Sequence, residues 1–330
     1  MRVLVTGGGG FLGLNLVQRL VQNGHQVRSL QRSSSPELMK LGTECLQGDL
    51  ADVSAVQRAA SGCALIYHVA AKAGVWGRYD DFYRANVVGT ENVLSACRTL
   101  GIGKLVYTSS PSVVFDGRNE AGIDESAPYP GRFLSFYPQT KALAEQLVLA
   151  ANSPTLATVS LRPHLIWGPG DNHLFPRLIQ RARAGKLRRV GSGLNLVDTT
   201  YVDNAAEAHL QVAARLHPGS SVAGKAYFIS NGEPLPLWTM IDRLLACADL
   251  PPVKKGISAT AAYGLGASLE TIYKLTGITR EPPMTRFVAR QLATDHWFRL
   301  DAARRDFGYA PAISIDEGLL RLKASLNSQN

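Results

Sequence analysis

The sequence predicts an α/β fold, a doubly wound parallel sheet with a smaller, mostly helical C-terminal subdomain. Three observations predict it. A short apolar run, RVLVT at residues 2–6, feeds a glycine turn that feeds an amphipathic helix. Strand-like apolar runs then alternate with helical ones, the pattern of a parallel sheet covered by helices on both faces. The second half is less regular and mostly helical. At 330 residues the chain can form one large domain or two unequal ones. Residues 1–164 are assigned to the sheet domain, with 190–230 contributing in part, and 165–330 to the subdomain.

The first element reads as a short buried strand. Gly7, Gly10 and Gly13 follow at G-x-x-G-x-x-G spacing, then a helix over Phe11–Gln22 with Leu12, Leu16, Val17 and Leu20 on one side. A strand, a glycine turn and a helix N-terminus make an anion site, because the backbone comes close to a diphosphate and unpaired N–H groups point at it. Gly7, Gly10, Phe11, Leu12 and Gly13 are therefore assigned to a dinucleotide. The second strand is His25–Gln31. NAD-specific folds carry an acid near its end to hold the adenosine ribose; this chain has LQRSSS. Arg32, with Ser33 and Ser34, suits a 2′-phosphate through charge-assisted hydrogen bonds, which predicts NADP(H).

The third strand ends in CLQGDL. Asp49 and Leu50 are placed at the adenine, and capping of the helix 53–60 is the competing role for Asp49. A strand over 64–71 puts Val69, Ala70 and Ala71 beside the diphosphate and ribose. A helix over 80–100 carries Asn86, and the strand KLVYTSS delivers Ser109 and Ser110 at a carboxyl end, where such sheets bind ligands.

In SFYPQTKALAEQ, residues 135–146, Tyr137 and Lys141 stand four apart and share a helix face. Pro138 marks the start of that helix. An ammonium beside a phenol favours the phenolate and lowers the tyrosine pKa, so that it can exchange a proton with a carbonyl oxygen or an alcohol near neutral pH. The spacing alone is common on helix surfaces; the glycine turn and the two serines give it weight. Strands at 157–163 and 225–230 and helices at 202–216, 236–249, 258–276, 283–294 and 315–326 complete the reading.

The net charge is +9, yet the basic residues are scattered. The densest group, Arg177, Arg181, Arg183, Lys186, Arg188 and Arg189, reads as a solvated face, and no nucleic acid is expected. Cys45, Cys63, Cys97 and Cys247 have no metal-ligand or disulfide spacing and read as small core residues. The seven histidines are dispersed, so no metal is expected. The N-terminus reads as strand rather than signal peptide, no apolar run reaches 18 residues, and the expected location is the cytoplasm. The segment 257–276 reads as an amphipathic core or lid helix, with shallow lipid contact as the other role.

TGGGGFLG, YTSS at 107–110, Tyr137-Pro-Gln-Thr-Lys141, LRP at 161–163 and YVDN at 201–204 resemble, in order, the extended short-chain dehydrogenase/reductase family. SSPSVVFDG, LRPHLIWGPGD, NLVDTTYVDN and FGYAP resemble its 3β-hydroxysteroid dehydrogenase branch. They look most like two groups in it, the sterol-4-carboxylate 3-dehydrogenases and the bacterial reductases of 2-alkyl-3-oxoalkanoates that serve olefin biosynthesis. The resemblance implies a Rossmann-like domain with a C-terminal substrate subdomain. It makes Tyr137 the acid/base, Lys141 its tuner and a partner of the nicotinamide ribose, and Ser110 the hydroxyl that orients the substrate oxygen, with Ser109 as the neighbouring alternative. Pro163 joins the cofactor residues. Asn86 matches a position that holds the active-site helix or a water.

The reaction implied is NADP(H)-dependent interconversion of a ketone and a secondary alcohol, with reduction of 2-alkyl-3-oxoalkanoates favoured by the modest apolar content of the C-terminal part. Such a substrate has long apolar chains and a carboxylate, so the site should pair a cation with an apolar groove. Lys72, Arg78 and His164 are the candidate cations. Trp167, with Trp76, Phe115 and Phe175, is a candidate wall, and Ser112 is a further substrate residue. A 3β-hydroxysteroid or sterol-4-carboxylate 3-dehydrogenase, a sugar-nucleotide epimerase or reductase, and a non-catalytic dinucleotide sensor are the alternatives. The family also implies a homodimer through helices 80–100 and 136–150. The mixed apolar and basic segment 257–295 is the expected attachment to a membrane surface or another pathway enzyme.

Overall fold

The computed structural model describes residues 1–328. In chain order its first part runs β1 (Arg2–Thr6), α1 (Phe11–Gln22), β2 (Gln26–Gln31), α2 (Pro36–Lys40), β3 (Glu44–Gln47), α3 (Val53–Ala60), β4 (Leu65–His68), α4 (Tyr79–Tyr83), α5 (Gly89–Leu100), β5 (Lys104–Thr108), β6 (Glu120–Ile123), α6 (Phe136–Ala150) and β7 (Ala157–Pro163). Successive side chains of β1 point to opposite faces. Val3 and Val5 pack toward Leu12, Leu16 and Leu20 of α1, while Leu4 packs toward Val56, Val93 and Val148 of α3, α5 and α6. A strand buried on both faces must be apolar throughout, which is why RVLVT has no alternation.

The second part carries β8 (Ile166–Trp167), α7 (Leu174–Arg183), β9 (Arg189–Val190), β10 (Leu196–Val197), β11 (Thr200–Tyr201), α8 (Val202–Arg215), β12 (Lys225–Ile229), β13 (Leu235–Pro236), α9 (Leu237–Cys247), β14 (Gly256–Ile257), α10 (Ala259–Leu275), α11 (Arg286–Gln291), β15 (His296–Phe298), α12 (Asp301–Phe307) and α13 (Ile315–Asn327). The main sheet has seven strands in the order β12-β7-β5-β4-β1-β2-β3, every pair parallel. It is a Rossmann-like sheet with helices on both faces. A second sheet, β13-β10-β15-β6, ties a strand of the first part to the second.

Several elements differ from the sequence reading, each for a local reason. β2 starts at Gln26 because the His25 N–H closes α1 by donating to the Leu20 carbonyl at 3.0 Å. β4 stops at His68: the Ala70 N–H turns to the Thr6 hydroxyl, 3.2 Å away, and residues 69–71 leave the sheet. The helix expected over 80–100 is broken by a π-helical turn, Arg84–Val88. Only Arg286–Gln291 of the 283–294 helix is helical, and the short helices α2 and α12 were not anticipated.

Candidate active site

The strand order reverses at β1, which has β2 on one side and β4 on the other. Ligands of such sheets lie at this switch point, outside the carboxyl ends of the strands. A cleft of about 840 Å³ occupies that place. At one end is the glycine turn. A Cβ at Gly13 would stand 2.1 Å from the Gly7 carbonyl oxygen, so turn and helix meet with no room for a side chain. α1 has no side-chain cap, which leaves its first N–H groups to face an anion. This cradle fits a dinucleotide diphosphate.

Gly7, Gly10, Phe11, Leu12, Gly13, Arg32, Ser33, Asp49, Leu50, Val69, Ala70, Ala71, Tyr137, Lys141 and Pro163 all line the cleft. Arg32 is exposed at its rim and its guanidinium has no carboxylate partner among the described residues; its carbonyl accepts from Gln47 Nε2 at 2.8 Å. Asp49 accepts from the Ala51 N–H at 3.0 Å and meets Arg84 at 3.4 Å. It does not cap α3. Asp52 does, accepting from the N–H groups of Ser54 and Ala55.

Deeper in the cleft, α6 starts at Phe136 with Pro138 in its first turn, where a missing N–H costs nothing. Tyr137 keeps part of its surface open to the cleft, and Lys141 is 1% exposed. The Lys141 ammonium donates to the Thr108 carbonyl at 2.6 Å and lies 4.1 Å from the centre of the Tyr107 ring. Burial pushes Lys141 down to about 7, and the carboxylate of Glu145 opposes this. Burial raises the pKa of Tyr137 and the Ser110 hydroxyl beside it pulls it back. The expected lowering of the tyrosine by the lysine is therefore not what the geometry gives: Lys141 is aimed at Thr108, and desolvation outweighs the rest. Tyr137 stays a protonated donor at neutral pH.

Both serines line the cleft, and they differ in burial and partners. Ser110 lines the cleft beside Tyr137 and its Oγ lies 2.9 Å from Ser112 Oγ. Ser109 is buried and turned toward Glu145. Ser112 is outside the lining and positions Ser110 instead. Glu145 is fully buried, paired with Arg162 at 2.7 Å, and accepts from Tyr129 at 2.8 Å and Ser160 at 2.7 Å. Asn86, in the π turn, accepts from the Lys72 N–H at 2.7 Å and donates to the Lys72 carbonyl at 3.1 Å and the Thr140 hydroxyl at 3.0 Å. It clamps the loop after β4 onto α6, a holding role.

Lys72 lines the cleft and is held by Asp81 at 3.6 Å. The other substrate candidates are elsewhere. Arg78 is outside the cleft lining, exposed and paired with Asp80 at 3.5 Å. His164 is no cation: it is buried, its Nδ1 lies 2.6 Å from the Asp198 carbonyl oxygen, and burial beside His296 pushes it down to about 3. Trp167 is fully buried, donates to the Thr199 hydroxyl at 3.0 Å and packs on Tyr201. Phe115 and Phe175 are core, and Trp76 donates to the Ile278 carbonyl at 3.3 Å. Sequence reasoning missed Leu165, Ile166, Asp171, His173 and Leu174, which also line the cleft. Asp171 accepts from the N–H groups of His173, Leu174 and Phe175, a helix-start signal legible in GPGDNHLF.

The fold and cleft define a dinucleotide-dependent oxidoreductase of the short-chain dehydrogenase/reductase type. The 3-beta hydroxysteroid dehydrogenase/isomerase family matches residues 4–255, and the chain belongs to it. It is 55% identical to a 2-alkyl-3-oxoalkanoate reductase of Stenotrophomonas maltophilia, covering 98% of this chain and 99% of that one. It is 50% identical to a 2-alkyl-3-oxoalkanoate reductase of Shewanella oneidensis, covering 98% and 85%. Among solved structures, the UDP-glucose 4-epimerase of Thermus thermophilus, in complex with NAD, superposes with a TM-score of 0.77 at 22% identity over the whole of both chains; that likeness concerns the fold.

Proposed function

We propose that this chain reduces 2-alkyl-3-oxoalkanoates to 2-alkyl-3-hydroxyalkanoates with NADPH. The observation that carries the reading is the meeting of Tyr137 and Ser110 at the inner end of a dinucleotide cradle, in a chain 55% and 50% identical to two reductases of that substrate. When bound, the dinucleotide supplies the hydride. The glycine turn holds its diphosphate, Val69, Ala70, Ala71 and Pro163 its middle, and Arg32 with Ser33 the 2′-phosphate.

The residues of the chain then handle the oxygen. Ser110 donates to the ketone oxygen, held in place by Ser112. As negative charge grows on that oxygen, the Tyr137 Oη–H proton passes to it, and the new O–H bond completes the alcohol. The charge left on Tyr137 lies one helical turn from the Lys141 ammonium, which is held on the Thr108 carbonyl and whose proton the Glu145 carboxylate helps retain. Preorganised donors aimed at a developing oxyanion are a large share of catalysis in such sites. Lys72, already at the cleft wall with an exposed acidic partner in Asp81, takes the substrate carboxylate.

The test is loss of nicotinamide absorbance with a 2-alkyl-3-oxoalkanoate, set beside a 3-oxosteroid and a UDP-sugar. Turnover of the first with NADPH supports the reading; turnover of only a steroid or sugar nucleotide contradicts it. Arg32→Glu should shift preference from NADPH toward NADH by about tenfold or more, since a charge-assisted contact of about 1.5–3 kcal/mol is replaced by repulsion. Equal preference in both proteins would place the 2′-phosphate elsewhere.

A further inference from the structure

Helix α10 is built inside out. Its inward residues are small or paired: Ala262, Gly266 and Glu270 are buried. A Cβ at Gly266 would stand 2.6 Å from the carbonyl carbon of Thr285, so the segment beginning α11 rests directly on the helix backbone. Glu270 accepts from the Arg286 N–H at 2.7 Å and pairs with its guanidinium at 2.7 Å. The large aliphatic residues lie on the other side. Leu265 is 46% exposed, Ile272 51% and Leu275 84%, and Ile278 just beyond is 40% exposed. Spacings of 265, 272 and 275 keep these on one stripe, and Ala261, Gly264, Ser268 and Thr271 fill the same exposed side without a charge.

The charges collect at the ends of the stripe, all of one sign. Lys254 and Lys255 precede the helix, Lys274 and Arg280 close it; all four are exposed and without ion pairs among the described residues. Between residues 254 and 280 the one carboxylate is Glu270, turned inward. The pairing of β14 with β9 adds Lys186 and Arg188 beside Lys254 and Lys255. An uncharged apolar stripe bounded by cations matches an anionic lipid surface, where the apolar side enters the acyl boundary and cations meet headgroups. A second copy of the chain would set cation against cation.

We propose that α10 docks this protein on an anionic bilayer surface, lying in the interface plane. No helix among the described residues is long and apolar enough to cross a membrane, so the helix lies on the bilayer. The loop that follows Lys72 touches this helix: Trp76 stacks edge-on against Tyr273 of α10 at 6.2 Å and donates to the Ile278 carbonyl. The docking itself does not depend on the substrate proposed above.

The full chain is sedimented with vesicles of equal parts phosphatidylglycerol and phosphatidylcholine, and with phosphatidylcholine alone, without substrate or cofactor. The expected result is binding to the anionic vesicles that weakens as salt rises. Leu275→Asp should reduce that binding about tenfold or more, and Lys254→Glu with Lys255→Glu roughly fivefold for each charge. The thermal melting of all three proteins should be unchanged, since these positions are exposed. A wild-type chain that stays in solution with anionic vesicles, or a Leu275→Asp chain that pellets like wild type, overturns the proposal. A concentration-dependent dimer abolished by Leu275→Asp would assign the face to a second copy and overturn it equally.

Discussion

Two of the buried polar clusters in this molecule differ in access, and of the two only one opens onto the cleft. Ser110, Tyr137 and Lys141 meet at its inner end. His164, His296 and Glu120 meet between the main sheet and the second sheet. There His296 Nδ1 lies 3.1 Å from Glu120 Oε2, and Phe115 and Phe298 pack on the two rings. The sealed cluster is strongly perturbed: burial pushes His164 down to about 3, His296 down to about 4 and Glu120 up to about 8. Strong perturbation therefore marks desolvation, and access to the cleft is what distinguishes a site. The open cluster keeps its groups able to exchange a proton with a ligand; the closed one keeps them neutral as packing.

That contrast can be broken by substitution. Lys141→Met should lower turnover by about 10²-fold or more and at the same time raise stability. With Lys141 at about 7 in the fold and 10.5 as its ordinary value, the unfolded chain binds more protons between those values. Stability of the wild type therefore rises with pH across that window, and the buried lysine is most costly at and below pH 7, by an amount on the order of a few kcal/mol. The lost hydrogen bond to Thr108 offsets about 1–3 kcal/mol of this. The variant should melt higher than wild type at pH 6, with the gap closing toward pH 10; a lower melting point at pH 6 contradicts the account. Ser110→Ala should lose roughly 10²-fold in turnover, the worth of one donor to a developing oxyanion, whereas Ser109→Ala should lose far less. Equal losses would erase the distinction between the two serines.

Glu120→Gln carries the smallest expected effect on turnover, within about twofold, and a distinct signature in stability. The carboxyl is raised from 4.5 to about 8, so the folded chain binds more protons than the unfolded chain between those values. The contribution of Glu120 to stability is present below pH 4.5 and lost as pH rises through 8. Thermal melting of the variant should lack that decline; a matching decline in both proteins would assign it to another group.

The sheet and the cradle were legible because their signals are local. The apolar runs, the glycines and the helix stripe of α1 each specify one element, and the order of elements specifies the sheet. Tyr137, Lys141 and the serine pair 109–110 could be named because strand ends and a helix start place them at one end of the sheet; the choice of Ser110 within that pair was what the family resemblance implied. What failed depended on which way a loop turns. Trp167 and His164 follow β7, the strand that also delivers Pro163 to the cleft, yet their side chains enter the core through bonds to Thr199 and Asp198. Arg78 sits on the loop that carries Lys72 but points to solvent. The pKa of Tyr137 was misjudged because spacing gives proximity on a helix and not the aim of the lysine, which a strand carbonyl captures. The exposed face of α10 follows from the small residues on its other side, and those were visible in the sequence once the packing partner was known.

The most direct test of the open cluster is turnover of Tyr137→Phe beside wild type, with NADPH and a 2-alkyl-3-oxoalkanoate. NADPH binding is read on the same samples. The account predicts turnover lowered by roughly 10²–10⁴-fold, the worth of a general acid, with NADPH affinity nearly unchanged because only the Oη is removed. Turnover near the wild-type rate would contradict it and move the proton donor away from Tyr137.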